Sequence, residues 1–163
     1  MSACHTAVAI PPLYRSIFSV PANMPALKTY IVEDSPVIRE DLIATLEELT
    51  TVKVIGTADD EATAVQWLRQ PGNTPDLVII DIFLKGGSGL GVLRAAGGLA
   101  VNTGRLVVLS NYATLDMRRR CLELGAARVF DKSNEIDALI LYCGRLADIQ
   151  AGIESPTDHD ALN

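Results

Sequence analysis

The stretch Asp76-Leu77-Val78-Ile79-Ile80-Asp81 decides the fold of this chain. Its four central residues are all apolar, as expected of a β-strand that is buried on both faces. Such strands are typical of parallel sheets that carry helices on both sides. An acid directly after a strand of this kind lies at the carboxyl end of the sheet, where α/β proteins bind their ligands.

Strand and helix patterns alternate on both sides of this stretch. Further strands are predicted at Thr29–Val32, Val52–Thr57, Leu106–Leu109 and Ala127–Phe130. Helices are predicted after the N-caps Ser35, Asp60 and Ser133, at Ser88–Ala96, and at Leu115–Leu124 with Gly125 as the C-cap. Five strands that are each followed by a helix predict an α/β fold: a doubly wound, five-stranded parallel sheet with helices on both faces.

Length and composition predict one domain with extensions at both ends. The chain has 163 residues, and its hydrophobic fraction of 48% is enough for a real core. Residues 1–27 contain four prolines and no periodicity, so they are predicted to be a flexible extension in which Met24 is a second candidate start. Residues 28–150 form the predicted domain, and 151–163 a flexible acidic tail.

Charge and cysteine content exclude several classes of function. The net charge of −6 argues against direct binding to nucleic acid, which needs clustered basic residues. No apolar run reaches the ~20 residues that cross a bilayer, so we expect no membrane insertion. The cysteines Cys4, Cys121 and Cys143 are scattered without metal-site spacing, which favours free thiols in the cytoplasm.

Polar residues follow four of the five predicted strands. Glu33 and Asp34 follow the first strand, Asp81 the third, Ser110 the fourth and Lys132 the fifth. Three crowded carboxylates resist ionising together unless a cation is present, and Mg²⁺ suits such oxygen ligands. An aspartate neutralised in this way can act as a nucleophile towards phosphorus. A lysine and a hydroxyl can then stabilise the charge on the phosphoryl oxygens.

These segments resemble a response-regulator receiver domain of two-component signalling, over roughly residues 28–150. The matching segments are 30–35, 76–81 with Ser88-Gly89, 107–111 and 125–132. The resemblance implies the strand order 2-1-3-4-5, which the chemotaxis member of this family exemplifies. It implies that Asp81 accepts a phosphoryl group and that Ser110 and Lys132 bind that group. It also implies a Mg²⁺ site formed by Glu33, Asp34, Asp81 and the backbone carbonyl of Phe83.

The resemblance further implies a stand-alone bacterial switch in the cytoplasm rather than an enzyme with external substrates. A histidine kinase or a histidine phosphotransfer protein would donate the phosphoryl group. Output would pass to an unknown partner protein through the fourth helix, the fifth strand and the fifth helix. The run Arg118-Arg119-Arg120 on the fourth helix is either a solvated face or part of that docking surface.

Several positions depart from the family pattern. Lys85 replaces a usual proline, and Asn111 replaces a small residue after the switch hydroxyl. Val129 stands where an aromatic residue often turns inward, and Tyr112 is a candidate substitute. Ser133 replaces a proline that commonly follows a cis bond, so a trans bond is expected here.

Other functions remain open at this stage. A pseudoreceiver would keep the fold as an interaction module that ignores phosphate, and Asn111 and Val129 allow that reading. A haloacid-dehalogenase-type phosphatase needs an acid two residues after its nucleophile, where this chain has Phe83. The segment Gly86-Gly87-Ser88-Gly89 matches neither common phosphate-loop motif and is predicted to be a flexible turn.

Overall fold

The computed structural model describes residues 25–99 and 104–152, and within these ranges five strands alternate with five helices. The strands are β1 (Leu27–Val32), β2 (Val52–Ala58), β3 (Leu77–Ile80), β4 (Arg105–Ser110) and β5 (Arg128–Asp131). The helices are α1 (Pro36–Leu49), α2 (Glu61–Arg69), α3 (Gly89–Gly97), α4 (Leu115–Glu123) and α5 (Ile136–Gln150).

The strands form one parallel sheet in the order β2-β1-β3-β4-β5, which confirms the predicted fold class. The chain starts near the middle of the sheet, runs to one edge, and then returns past β1 to build the other side. The order therefore reverses between β1 and β3, so the end of β1 lies beside the end of β3. That junction is where ligands bind in open sheets of this kind.

Side chains alternate between two buried layers on the two faces of the sheet. In β3, Leu77 and Ile79 pack with residues of α1 and α5, whereas Val78 and Ile80 pack with residues of α2, α3 and α4. Because β3 is covered on both faces, all four of its residues are buried, as the continuous apolar stretch predicts. The central strands thus anchor the residues that follow them in a rigid frame.

Most predicted helix boundaries agree with the structure, but the predicted N-cap of the last helix is wrong. The Ser35 hydroxyl accepts a hydrogen bond from the Ile38 N–H, and Asp60 caps α2 through the Thr63 N–H. Helix α5 begins only at Ile136, after Glu135, and not after Ser133.

A turn after β5 explains this delay. The Asp131 carboxylate accepts the Ser133 N–H at 2.7 Å, and the Asp131 carbonyl accepts the Glu135 N–H at 2.8 Å. These bonds hold residues 131–135 in the turn before the helix can start.

Smaller differences affect strand ends and termini. β1 begins at Leu27 rather than Thr29, and β5 is shifted one residue towards the C-terminus. α4 ends at Glu123, with Leu124 as its cap and Gly125 next, at a φ of 105°. The predicted start at Met24, most of the predicted N-terminal extension and residues 153–163 of the predicted tail lie outside the described residues. Within the described ranges, every helix is too short or too polar to span a bilayer.

The buried centre of the sheet yields a first prediction. Ile80→Ala should lower the free energy of unfolding by about 2–5 kcal/mol, because Ile80 is fully buried and the change leaves a cavity. The matched change Ile55→Ala, on the edge strand β2 with 37% of the residue exposed, should cost about 1 kcal/mol or less. Urea unfolding of both variants measures the difference, and equal losses would contradict this account of the core.

Candidate functional site

The carboxyl ends of β1, β3 and β5 meet around the ammonium group of Lys132. Its Nζ donates to Oε2 of Glu33 at 2.5 Å and to Oδ2 of Asp81 at 2.9 Å. These acids lie 99 and 51 residues away in sequence, so only the parallel sheet brings the three groups together. The predicted convergence of Glu33, Asp81 and Lys132 is therefore observed.

Burial makes the charges of this group strongly dependent on one another. Glu33 is 2% exposed and Asp81 is 8% exposed. Burial opposes the charge on Lys132, but hydrogen bonds to Glu33 and Asp81 outweigh it and raise the pKa of the ammonium group. Burial also raises the pKa of the Glu33 carboxyl, against the lowering effect of Lys132 and of the Ser35 N–H. One ammonium shared by two buried carboxylates therefore leaves an excess of negative charge.

Asp34 adds a third carboxylate to this edge of the sheet. Glu33, Asp34 and Asp81 each offer an oxygen, and these oxygens all lie within 4.8 Å of one another. Such a set suits a hard divalent cation with oxygen ligands, and the excess negative charge favours one. The residues present therefore fit a bound Mg²⁺. Phe83 lies two residues after Asp81 and pairs with Ser88 in an isolated bridge, and its carbonyl stays a predicted ligand.

Ser110 ends β4, between the strands that carry Asp81 and Lys132. It is fully buried, and its Oγ accepts a hydrogen bond from the Tyr112 N–H at 3.2 Å. Its carbonyl accepts the backbone N–H of Lys132 at 3.1 Å, which joins the loops after β4 and β5. The role of Ser110 in binding a phosphoryl group stays a prediction.

The predicted modulators occupy different environments around the site. Asn111 is exposed, and its Oδ1 lies 3.5 Å from the Ser133 hydroxyl. Tyr112 is 60% exposed, and its ring meets the ring of Phe83 edge-on with centroids 4.7 Å apart. Val129, by contrast, is buried in the core beneath α4. An aliphatic residue thus fills the place where an aromatic residue is usual in the family it resembles.

The backbone at Ser133 is trans, as expected, since the described residues contain no cis peptide bond. Lys85, which stands in place of a usual proline, extends to Asp59, with Nζ 3.2 Å from Oδ2. Both side chains of this pair are largely exposed, so the pair contributes little to stability. Lys85 thus has an acidic partner within this chain.

Arg118, which the sequence presented only as part of a basic run, supports the site. All three of its guanidinium nitrogens donate, to the carbonyls of Ala113 and Val129 and to the Glu135 carboxylate. The same Glu135 carboxylate accepts the Asp131 N–H at 2.7 Å. Arg118 thereby ties α4 to β5 and to the turn that carries Lys132.

The run Arg118-Arg119-Arg120 is therefore not one uniform surface. Arg118 is partly buried, whereas Arg119 and Arg120 are exposed and Arg119 pairs with Asp116. No sequence signal separates them, because the acceptors of Arg118 at positions 129 and 135 become neighbours only in the folded chain.

Comparison with known proteins shows the family to which this chain belongs. The family model of the response regulator receiver domain matches residues 29–143. The transcriptional regulatory protein CitB of Klebsiella pneumoniae is 32% identical over 108 residues, which are 66% of this chain and 44% of CitB. A protein-glutamate methylesterase/protein-glutamine glutaminase of Anaeromyxobacter dehalogenans is 33% identical over 108 residues, 65% of this chain and 29% of the enzyme. The chain thus spans less than half of the length of these two relatives.

Solved structures show the same fold. The signal receiver domain of NarL from Mycobacterium tuberculosis is 25% identical, with a TM-score of 0.64 over 74% of this chain and 97% of that chain. The phosphorylated cyanobacterial phytochrome response regulator RcpA is 22% identical, with a TM-score of 0.64 over 80% of this chain and 98% of that chain. The Mn²⁺-bound response regulator Rcp1 is 20% identical, with a TM-score of 0.61 over 80% and 98%.

The Arg118–Glu135 pair yields a prediction about pH. Its hydrogen bond and the Asp131 N–H hold the pKa of Glu135 below the ordinary value of 4.5. Because the folded-state pKa is lowered, the stabilisation is present above the ordinary value and is lost as pH falls through the folded-state value. Glu135→Gln should therefore lower the free energy of unfolding at pH 7 by about 1 kcal/mol or less, since the pair is about one-third exposed.

That difference should shrink as the pH falls below about 5, and urea unfolding at a series of pH values measures it. Glu48→Gln removes the same charge from the exposed face of α1 and should change stability by less than about 0.5 kcal/mol. A Glu135→Gln deficit that stays constant with pH would refute the assigned ion pair.

Proposed function

Because the chain belongs to the family of response regulator receiver domains, we propose that it accepts a phosphoryl group on Asp81 and reports it to a partner protein. The observation that carries this proposal is the Lys132 ammonium, held between Glu33 and Asp81, which form a three-carboxylate cluster with Asp34. A buried nucleophilic carboxylate, a cation site and a fixed ammonium are what phosphoryl transfer to aspartate requires.

In the proposed reaction, an oxygen of Asp81 attacks the phosphorus of a phosphohistidine donor. The new P–O bond forms as the P–N bond to the donor histidine breaks, and the released histidine nitrogen takes up a proton. Lys132 holds Oδ2 of Asp81, so we expect Oδ1 to attack. The donor is a histidine kinase or a histidine phosphotransfer protein, as the family resemblance implies.

Mg²⁺ is the proposed cofactor, held by Glu33, Asp34, Asp81 and the carbonyl of Phe83. When bound, it neutralises carboxylate charge and the charge that develops on the phosphoryl oxygens. The carboxylate cluster supports this assignment, as does a structural neighbour described as Mn²⁺-bound. Lys132 and Ser110 would bind the transferred group, and another neighbour is described as phosphorylated.

Output is proposed to pass from the loops after β4 and β5 to the face formed by α4, β5 and α5. Access to the phosphoryl group, and its lifetime, would be modulated by Asn111, Tyr112, Val129 and Lys85. The cytoplasm is the proposed compartment, because the thiols of Cys121 and Cys143 are free and buried. We do not propose direct binding to nucleic acid or insertion into a membrane.

A phosphorylation-independent interaction module is the second candidate. The observation that favours it is Val129, which is buried where an aromatic switch residue is usual in the family. Turnover of external phosphate esters is a weaker candidate, because Phe83 stands where a phosphatase of the haloacid dehalogenase type needs its second acid.

Intact-mass spectrometry after incubation with acetyl phosphate tests the proposed function. We expect one phosphoryl adduct that requires Mg²⁺ and disappears in Asp81→Asn, because that amide cannot act as the nucleophile. Asp41→Asn, on the exposed face of α1, is the charge-matched control and should retain the adduct. An undiminished adduct in Asp81→Asn would reject Asp81 as the acceptor, and neither adduct nor Mg²⁺ binding in the unsubstituted chain would favour the interaction module.

Asp34 allows a separate test of the metal site. Asp34→Asn should weaken Mg²⁺ binding about tenfold or more, because one anionic ligand is lost. The bonds of Lys132 go to Glu33 and Asp81, so this change leaves them in place. Calorimetric Mg²⁺ titration measures the affinity, with Asp41→Asn as the control. An unchanged affinity would remove Asp34 from the ligand set.

A further inference from the structure

The loop between β3 and α3, residues 81–88, is bound to the start of α2. The Glu61 backbone N–H donates to the Gly86 carbonyl at 2.9 Å. The Ser88 N–H donates to Oε2 of Glu61 at 2.8 Å. One residue of α2 therefore holds this loop at two points, through its backbone and through its side chain.

Two glycines make room for the Glu61 side chain. A Cβ atom at Gly87 or at Gly91 would overlap the Glu61 carboxylate. Gly87 also has a backbone φ of 78°, which residues other than glycine rarely adopt. The segment Gly86–Gly89, which the sequence predicts to be a flexible turn, thus forms together with Gly91 a close-fitting pocket for the Glu61 carboxylate.

This carboxylate pocket lies next to the proposed metal site along the chain. Ser88 pairs with Phe83 in an isolated bridge, and the Gly89 N–H donates to the Ile82 carbonyl at 2.8 Å. A fixed Ser88 therefore restrains Phe83, whose carbonyl is the proposed fourth ligand. The stiff proline that the family usually has in this loop is replaced by Lys85, whose exposed pair with Asp59 holds the loop only weakly.

We propose that Glu61 is a positioning residue for the cation site, and that it takes over the role of the missing proline by holding the loop that presents the Phe83 carbonyl. This inference rests on the proposed Mg²⁺ site. An acid in the first turn also favours its own helix through the helix dipole, but that effect requires neither the Ser88 contact nor the space at Gly87 and Gly91.

Calorimetric Mg²⁺ titration of the full chain tests the proposal. Glu61→Ala should weaken Mg²⁺ binding about tenfold, because a charge-assisted hydrogen bond that orders the loop is lost. Glu61→Gln keeps an acceptor of the same shape and should lose less. Glu48→Ala, an exposed acid on α1, is the control for charge and should bind as the unsubstituted chain does.

A second variant changes the carboxylate pocket at Gly91 instead of at Glu61. Gly91→Ala should also weaken Mg²⁺ binding, because its methyl group would displace the Glu61 carboxylate. In the Glu61→Ala background the same change should have no further effect, because the carboxylate is already gone. Additive losses of Mg²⁺ affinity would contradict the proposed contact between Gly91 and the Glu61 carboxylate.

Phosphorylation by acetyl phosphate gives an independent measurement. In Glu61→Ala, about tenfold more Mg²⁺ should be needed for the half-maximal rate, with the rate at saturating Mg²⁺ unchanged. A lower maximal rate with an unchanged Mg²⁺ requirement would assign Glu61 a purely structural role and overturn the inference. If the unsubstituted chain binds Mg²⁺ but forms no adduct, the proposed function fails and calorimetry still decides the role of Glu61. If it binds no Mg²⁺, both proposals fall.

Discussion

The ammonium of Lys132 between two buried carboxylates is the interaction on which the rest of the site depends. Glu33 and Asp81 directly follow adjacent parallel strands, so their charges are forced together in a place with little water. Removing the ammonium from such a group leaves uncompensated buried carboxylates, which costs about 3–5 kcal/mol. Lys132 comes from β5, on the far side of β4, and its long side chain reaches past the end of that strand. That reach ties the loops after β1, β3 and β5 to one another.

Sequence alone predicted the frame of this arrangement for a clear physical reason. The strands are short and apolar, and their ends are marked by polar residues. Parallel pairing requires those ends to lie at one edge, so the meeting of Glu33, Asp81 and Lys132 follows from topology. The chemical roles of these residues came from the chemistry of their side chains together with the resemblance to receiver domains. They remain proposals, because geometry shows which groups meet and not what they react with.

The features that sequence analysis missed depend on a local turn in one case and on a contact between distant segments in the other. Ser133 is a residue type that is favoured at N-caps, but its backbone N–H donates to the Asp131 carboxylate, and the helix starts only at Ile136. Glu61 is indistinguishable in sequence from an ordinary first-turn acid until Ser88 is brought against it. Local propensity is a weak guide at such positions, since single hydrogen bonds of about 1 kcal/mol each decide between neighbouring helix starts.

The departures from the family pattern point to a different way of connecting the site to the face of α4, β5 and α5. Val129 is an aliphatic core residue, so there is no aromatic ring at that position to turn inward. Hydrogen bonds connect this region instead: the Lys132 backbone N–H donates to the Ser110 carbonyl, and the Arg118 guanidinium donates to the carbonyls of Val129 and Ala113. Under the proposed function, a shift of Lys132 towards a phosphoryl group would pull directly on the end of β4 and on the turn that Glu135 anchors. In this chain the signal would therefore travel through displacement of hydrogen-bonded loops rather than through the rotation of one side chain.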